Sequence, residues 1–428
     1  MAAQKKNPGK EFEKALAKGR PPNVVRRFPN SRALIVSGKA VDRAMLAKGS
    51  AMTIAANGRS SFVIRGALRA AQRANAAIII EIAKSESTYC MTSMFNLPMQ
   101  VDSYMNEMGI TVPVAVHADH YGIKSKKDLD TALTEIPAMF DACITSIAID
   151  ASHLPDDENL LANLKLAPLV PSWSGYETEV GEIKGKEGLS TPAEALFLIQ
   201  GLNAHGLFPD WIALNNGTTH GIEASSLGIQ VGLTAKIHQA LAPYKMSGAQ
   251  HGTSGNNSAR LREIAKKTQT TKANVATALQ MVSWGVKVNE FGNAFLDKKG
   301  NFVKIKGRGM DDAVWAEMVA YAEAKGMKAG DYKKLNLPFE SRLLAQPAKT
   351  RERMVKAVED FVYDLLVNVF NARNTAPLAV KAICKAGSHD LGPKAKRTED
   401  AKQWTPAKIR ARARAAGGAK GPGGDYDD

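Results

Sequence analysis

The sequence predicts an α/β protein of the (β/α)8 TIM-barrel class, and three observations carry that prediction. Apolar, β-branched runs of strand length alternate with segments of helical periodicity through roughly the first 300 residues. The alternation yields eight strand candidates, a number that closes a parallel barrel and exceeds what most doubly wound sheets use. Polar and titratable residues then gather just after several of these strands, where barrel folds place their chemistry.

Taken in order, residues 1–30 are polar, basic and proline-containing, a loosely ordered lead-in. A helical stretch at Ala40–Lys48 precedes the first strand at Ala51–Ala56. Phe62, Ile64, Leu68 and Ala71 give Ser60–Ala74 helical spacing, and Ala77–Ala83 is an emphatic second strand. The third, within Thr111–Gly122 (TVPVAVHADHYG), opens apolar and ends in two histidines bracketing an aspartate. A helix from Lys126 leads to the strand Ser146–Ala151, and Glu158–Leu166 is helical. Tyr176–Gly181 is a short strand with carboxylates on alternate positions, followed by a Gly- and Lys-rich loop. Thr191-Pro-Ala-Glu opens a capped helix with proline at its first position. Trp211–Asn216 and Tyr244–Gly252 are the next strand-to-loop transitions, and Val286–Phe291 is expected as the last strand. Helices follow over Met310–Lys325 and Thr350–Asn371. The expected division is therefore a lead-in (1–30), a barrel (31–300), a helical region of the same domain (301–374), and a basic Pro/Gly/Ala-rich, disordered tail (375–428).

Bulk properties exclude several classes. At 428 residues, with 44% apolar and 23% charged residues, the chain has an ordinary globular composition and can bury a large core. No apolar run is long enough to span a bilayer, and the start, MAAQKKNPGKEFEK, lacks a signal-peptide core. Cys90, Cys143 and Cys384 are too few and too scattered for a disulfide framework or a thiolate zinc site, which fits a reducing, cytoplasmic setting. The net charge of +15 sits largely at the two ends, in Lys5–Arg27 and Lys394–Arg414. Those ends read as solvated and solubilising, with polyanion or nucleic-acid binding as the alternative. A positive protein would also steer phosphorylated substrates.

In an extended strand His117 and Asp119 share a face, and His120 follows where strand gives way to loop. His220, in Asn216-Gly-Thr-Thr-His-Gly, and His251, in Gln250-His-Gly-Thr-Ser-Gly, also follow strands, so a barrel brings all three to one mouth. They are either hydrogen-bonded loop histidines or, as three at strand ends beside glycines favour, a catalytic metal site. His117 belongs inside the barrel behind such a site, and His153, His205, His238 and His389 are structural or exposed. Gly252, Ser254 and Gly255 form either a plain tight turn or a phosphate-binding one, since a Gly-rich turn before a helix offers backbone N–H groups.

Six motifs in order resemble the class II, metal-dependent fructose-bisphosphate aldolase family between about Ala51 and Phe295. They are VPVAVHADH; Ile149-Asp-Ala-Ser-His-Leu-Pro; Glu177-Thr-Glu-Val-Gly with Glu187 beyond it; Asn216-Gly-Thr-Thr-His-Gly; Gln250-His-Gly-Thr-Ser-Gly; and Lys287-Val-Asn. The resemblance implies one catalytic Zn2+ on His120, His220 and His251, with Glu179 as alternative ligand or close neighbour; a second metal or a monovalent cation stays open. It implies Asp119 as acid/base at the C4 hydroxyl, Glu187 as the proton carrier at carbon, and Asn289 at the enediolate. Gly221, Gly252, Ser254, Gly255 and Asn289 would contact substrate or phosphate, with Asp150 and His117 in support. The implied reaction is reversible cleavage of fructose 1,6-bisphosphate into dihydroxyacetone phosphate and glyceraldehyde 3-phosphate, in glycolysis and gluconeogenesis, by a homo-oligomer with no membrane partner. Several phosphate-contact positions depart from the family pattern. Ile222-Glu-Ala follows His220-Gly, Thr253 replaces a glycine, Tyr121 replaces a small residue, and Ala83 stands where a substrate-facing serine is expected. Another phosphorylated ketose (tagatose bisphosphate or a monophosphate), or a non-catalytic barrel with a polyanion-binding tail, are the alternatives.

Overall fold

A computed structural model describes residues 9–181, 188–217, 228–253, 256–289, 294–298 and 300–415. Eight parallel strands close into a barrel in sequence order: β1 (Thr53–Asn57), β2 (Ile78–Ala83), β3 (Val114–Gly122), β4 (Ser146–Asp150), β5 (Gly175–Val180), β6 (Trp211–Leu214), β7 (Ser247–Gln250) and β8 (Thr270–Val275), with β8 pairing back onto β1. Full closure leaves no sheet edge. Strands such as Ile78-Ile-Ile-Glu-Ile-Ala are buried along their whole length, as expected where helices cover the outer face. The apolar core lies between sheet and helices, while the barrel interior is polar, holding Glu81, His117, Glu177 and Lys272 almost without exposure.

Local chemistry starts the helices where the strands end. The Ser60 hydroxyl accepts from Val63 N and Ser125 from Asp128 N. At Thr191 a full capping box with Glu194, plus Pro192, starts the helix Pro192–Ala204. The helix Gly38–Lys48 closes the bottom of the barrel. A Cβ on Gly38 would come 2.6 Å from Ser146 Oγ and 3.1 Å from Trp211, so only glycine permits this approach.

Three expectations need correction. The lead-in is not loose from Lys10 onward: Lys10–Gly19 and Pro22–Arg27 are helical, and Asn23 Nδ2 donates to the carbonyls of Phe140 (2.7 Å) and Ile144 (3.0 Å). The region from 375 to 415 is packed rather than disordered. Helix Ala376–Ala386 seats Ile383 against Gly19, Lys394 Nζ reaches Asp42 Oδ2 at 2.8 Å, and Trp404 is buried against Phe197. A Lys/Arg-rich composition hides this because the few apolar residues are widely spaced. Finally, the eighth barrel strand is Thr270–Val275, not Val286–Phe291. Val286 and Val288 instead make isolated antiparallel bridges to Lys304 and Ala294, outside the barrel. Thr-Thr-Lys-Ala-Asn-Val does not read as a strand by apolar content, because its inward side chains are the ones that serve the polar interior.

Candidate active site

β3 delivers the central residues, but not by simple alternation. His117 and Asp119 face inward as neighbours on one side of an extended strand. His120 should then face out. A register irregularity between Ala118 and Tyr121, with His120 at φ +43°, turns it back toward the mouth. A non-glycine residue at positive φ costs about 1–3 kcal/mol, and such bulges re-aim side chains beside active sites.

His120 lies between carboxylates from the next two strands. Its Nδ1 is 3.2 Å from Asp150 Oδ2 at the end of β4 and 3.2 Å from Glu179 Oε1 on β5. The His251 ring, just past β7, stands edge-on to His120 with centroids 4.3 Å apart. His251 Nε2 pairs with Glu177 Oε1 at 2.9 Å, and its Nδ1 lies 3.9 Å from Glu179 Oε2. Asp119 Oδ2 is 4.0 Å from His120 Nε2. Asp119, His120 and His251 therefore converge, as do His120, Asp150 and Glu179, and Glu177, Glu179 and His251, each with donor atoms within 4.8 Å of one another.

These donors fit a divalent cation. Among the described residues, Glu179 Oε1 is buried and has no hydrogen-bond partner of proper geometry despite its nearness to His120. Nitrogen and carboxylate donors are a transition-metal set, not a calcium cage. Charge agrees. Burial raises Glu179 and the Asp150 carboxylate raises it further, outweighing the opposing pull of the His120 and His251 rings. At His120 burial opposes the charged form, but Glu179 and then Asp119 outweigh it and hold the ring proton well above the ordinary range. A metal would take that proton's place, since an imidazole ligand must be neutral.

Beneath this layer sits Lys272, which sequence reading missed. Its Nζ is 2.8 Å from Glu177 Oε2, 3.0 Å from His117 Nε2, and 3.4 Å from both Asp119 Oδ1 and Glu81 Oε2. Burial works against the ammonium, but Glu177, Glu81 and Asp119 together raise its pKa. In return Glu177 is pulled to about 2, Lys272 outweighing the burial that opposes ionisation. Asp119 is likewise held well below its usual range by Lys272 and His120 against burial. Glu81 goes the other way, raised by burial and then by Asp119 against the pull of Lys272. His117 is lowered by burial and then by Lys272, so it stays neutral; its Nδ1 lies 2.8 Å from Ser146 Oγ. Glu81, His117 and Asp119 also lie close enough to hold a metal, but the ammonium already occupies their centre.

Asn274, two residues on from Lys272, donates from Nδ2 to Asp119 Oδ1 at 3.0 Å. Asn274 therefore stands beside Asn289 as a match to the Lys-x-Asn motif. Lys-x-Asn occurs twice, at 272–274 and 287–289, and only the first stands on a barrel strand. The spacing of that motif was the available signal.

Asp150 is positioned by Ser152, whose N and Oγ donate to Oδ1 at 3.0 and 2.6 Å. Gly252 has φ +58°, the left-handed region that glycine adopts freely, and Thr253 Oγ1 donates to Asn274 O at 2.5 Å, tying this turn to β8. His220, Gly221, Glu187, Ser254 and Gly255 lie outside the described residues.

A parallel barrel with histidines and carboxylates converging at the carboxyl ends of its strands defines the class of metal-assisted barrel enzymes. Residues 40–329 match the fructose-bisphosphate aldolase class-II family, and the chain belongs to it. A fructose-bisphosphate aldolase of Staphylococcus aureus is 27% identical over 190 residues, 40% of this chain and 61% of that protein. One from Mycoplasma pneumoniae is 31% identical over 160 residues, covering 37% and 52%. The chain thus spans about three fifths or less of the length of these relatives. Among solved structures, the YdjI aldolase of Escherichia coli K12 superposes with a TM-score of 0.53 at 17% identity, covering 80% of this chain and 99% of that one. The fructose-bisphosphate aldolase of Campylobacter jejuni gives 0.51 at 18% identity, covering 79% and 97%. At such identities these likenesses speak for the fold. No helix among the described residues is long and apolar enough to cross a membrane.

Proposed function

We propose that this chain is a Zn2+-dependent aldolase that reversibly cleaves a phosphorylated ketose, of the fructose 1,6-bisphosphate type, into two three-carbon fragments in central sugar metabolism. The observation that carries the reading is Glu179, 3.2 Å from His120 and 3.9 Å from His251, in a mouth shared with an Asp119 that Lys272 holds below its usual range. Zn2+ is the ion the donor set suits best, and His120, His251 and Glu179 are proposed to hold it, with His220 as a further ligand. When bound, the ion would supply Lewis-acid stabilisation of negative charge developing on the ketose oxygens.

The residues of the chain divide the remaining work. Asp119 accepts the proton of the C4 hydroxyl as the C3–C4 bond breaks and the aldehyde forms. A base must be ionised at working pH, and Lys272 keeps Asp119 so; Asn274 fixes its orientation through Oδ1. Glu187 returns a proton to C3, completing dihydroxyacetone phosphate with no atom left over. The Gly252 turn is proposed to take one phosphate, and His117 and Asp150 to support Lys272 and His120. The chain is proposed to act as a cytoplasmic homo-oligomer. A coupled cleavage assay with added Zn2+, with EDTA, and on Asp119→Ala tests this. EDTA should abolish turnover reversibly, and Asp119→Ala should lower it about 10²–10⁴-fold while Zn2+ stays bound. Chelator-resistant cleavage would reject the reading.

A further inference from the structure

At the mouth, beside the cluster described above, the ends of β1 and β2 form a receptor for an anion, and the chain fills it with its own side chain. Glu86, in a short turn of 3₁₀ helix after β2, is 4% exposed. Its Oε1 accepts from Arg59 Nε at 2.7 Å and lies 2.5 Å from Arg59 Nη2. Its Oε2 accepts from Asn57 Nδ2 at 2.5 Å and from the backbone N of Ala83 at 2.9 Å. Thus two N–H groups of one guanidinium meet Oε1, while a side-chain amide and a main-chain N–H meet Oε2, of one carboxylate. Arginine and main-chain N–H donors are also what proteins use to hold phosphate. The guanidinium cannot swing away, because Nη1 is held by Gln280 Oε1 at 3.0 Å and Thr277 Oγ1 at 3.3 Å.

The receptor lies in the substrate mouth. Ala83 is the direct strand partner of Asp119, and Asn57 of Glu81. β1 and β2 stand two and three strands along from β7, whose end carries the Gly252 turn. At a strand spacing of about 4.8 Å that is roughly 10–14 Å around the rim, within reach of the far end of a six-carbon ketose held at the Gly252 turn. Ala83 is also the position where the family pattern has a substrate-facing serine.

We propose that Glu86 determines substrate specificity: by occupying the Arg59–Asn57–Ala83 receptor it denies that position to a second phosphate, so the preferred substrate is a ketose phosphorylated at one end only. This rests on the aldolase reading above. A second phosphate would meet a buried carboxylate whose donors are already used, and like charges so placed repel. Removing the carboxylate should turn the same donors into a phosphate site.

The Zn2+-loaded full chain is assayed with fructose 1-phosphate and fructose 1,6-bisphosphate, together with Glu86→Ala, Glu86→Gln and Glu86→Ala/Arg59→Met. Wild type should favour the monophosphate by about tenfold or more in kcat/KM. Glu86→Ala should narrow or invert that ratio through the KM for the bisphosphate, and Arg59→Met should remove the gain. Calorimetric titration with inorganic phosphate gives a readout without turnover: Glu86→Ala should bind one more equivalent than wild type, and the double variant should not. Glu86→Gln, which keeps the shape and drops the charge, is read in both assays if Glu86→Ala fails to fold. A wild-type preference for the bisphosphate overturns the proposal. So does a Glu86 variant that gains neither phosphate binding nor bisphosphate turnover. If wild type cleaves neither ketose while Glu86→Ala still gains an Arg59-dependent phosphate, the aldolase reading fails and the filled receptor stands.

Discussion

Replacing Lys272 by methionine removes a buried cation that neutralises the carboxylates of the barrel interior while keeping the length of the side chain. The ammonium lies 2.8 Å from Glu177 Oε2 and 3.4 Å from Asp119 Oδ1, two carboxylates it holds below their usual range. At an effective dielectric of about 20, each contact amounts to about 5 kcal/mol of gross Coulomb attraction. Desolvation of the buried ammonium offsets much of it, so the net cost of stranding the partners is about 3–5 kcal/mol. Denaturant unfolding of metal-free protein should show that loss, with the Glu177→Gln/Lys272→Met double variant recovering part of it. The metal-free form matters, because a bound dication would mask the surplus negative charge. Turnover of the metal-loaded variant should fall as well, since Asp119 loses the neighbour that keeps it ionised. If Lys272→Met unfolds within about 1 kcal/mol of wild type, or the double variant is no better than the single, charge pairing does not hold this interior together.

Three further outcomes are expected. Asn274→Ala should lower kcat about tenfold or more because Asp119 loses its orienting donor, and by more than Asn289→Ala does; a near-wild-type kcat for Asn274→Ala would refute this. Trp404→Ala should cost about 3–5 kcal/mol in thermal or denaturant unfolding, because the indole is buried against Phe197 with Arg412 over its ring at 4.3 Å. A change near zero would mean that the C-terminal segment is not docked in solution. Glu340 is raised by burial to about 7, and its Oε2 has no hydrogen-bond partner among the described residues. The folded state therefore holds this proton more tightly than the unfolded chain. Its contribution is fully present below about pH 4.5 and is lost as pH rises through about 7. Glu340→Gln should match wild type at pH 4.5 and exceed it by about 2–3 kcal/mol at pH 8, an upper range for a partly buried group. A pH-independent difference in urea midpoints would contradict this.

How far the sequence reaches depends on which faces of a strand are apolar. β2 and β4 are predominantly apolar, with runs of isoleucine and alanine, and they are legible from composition alone. β8 is not, because its inward positions are Lys272 and Asn274, and a rule that looks for apolar runs passes over it in favour of Val286-Lys-Val. The ends of the chain were misread for a related reason. Ile383, Trp404 and Ile409 are buried, yet they stand alone among lysines and arginines, and only the surfaces they meet make them core residues.

The sequence by itself determined the alternation that closes a barrel, the strand ends at Asp119, His120, Glu179 and His251, and the motif order that marks the family. Those features are local, set by side-chain periodicity and turn chemistry within a few residues. Only the tertiary structure decided which of two Lys-x-Asn motifs faces Asp119, that a bulge with positive φ brings His120 back to the mouth, and that Glu86 fills a receptor built from two strands. Each of these depends on which residues from distant parts of the chain share one small, poorly solvated volume. There charge pairing and hydrogen-bond geometry, which no single segment encodes, fix the protonation states and the donors left for a ligand.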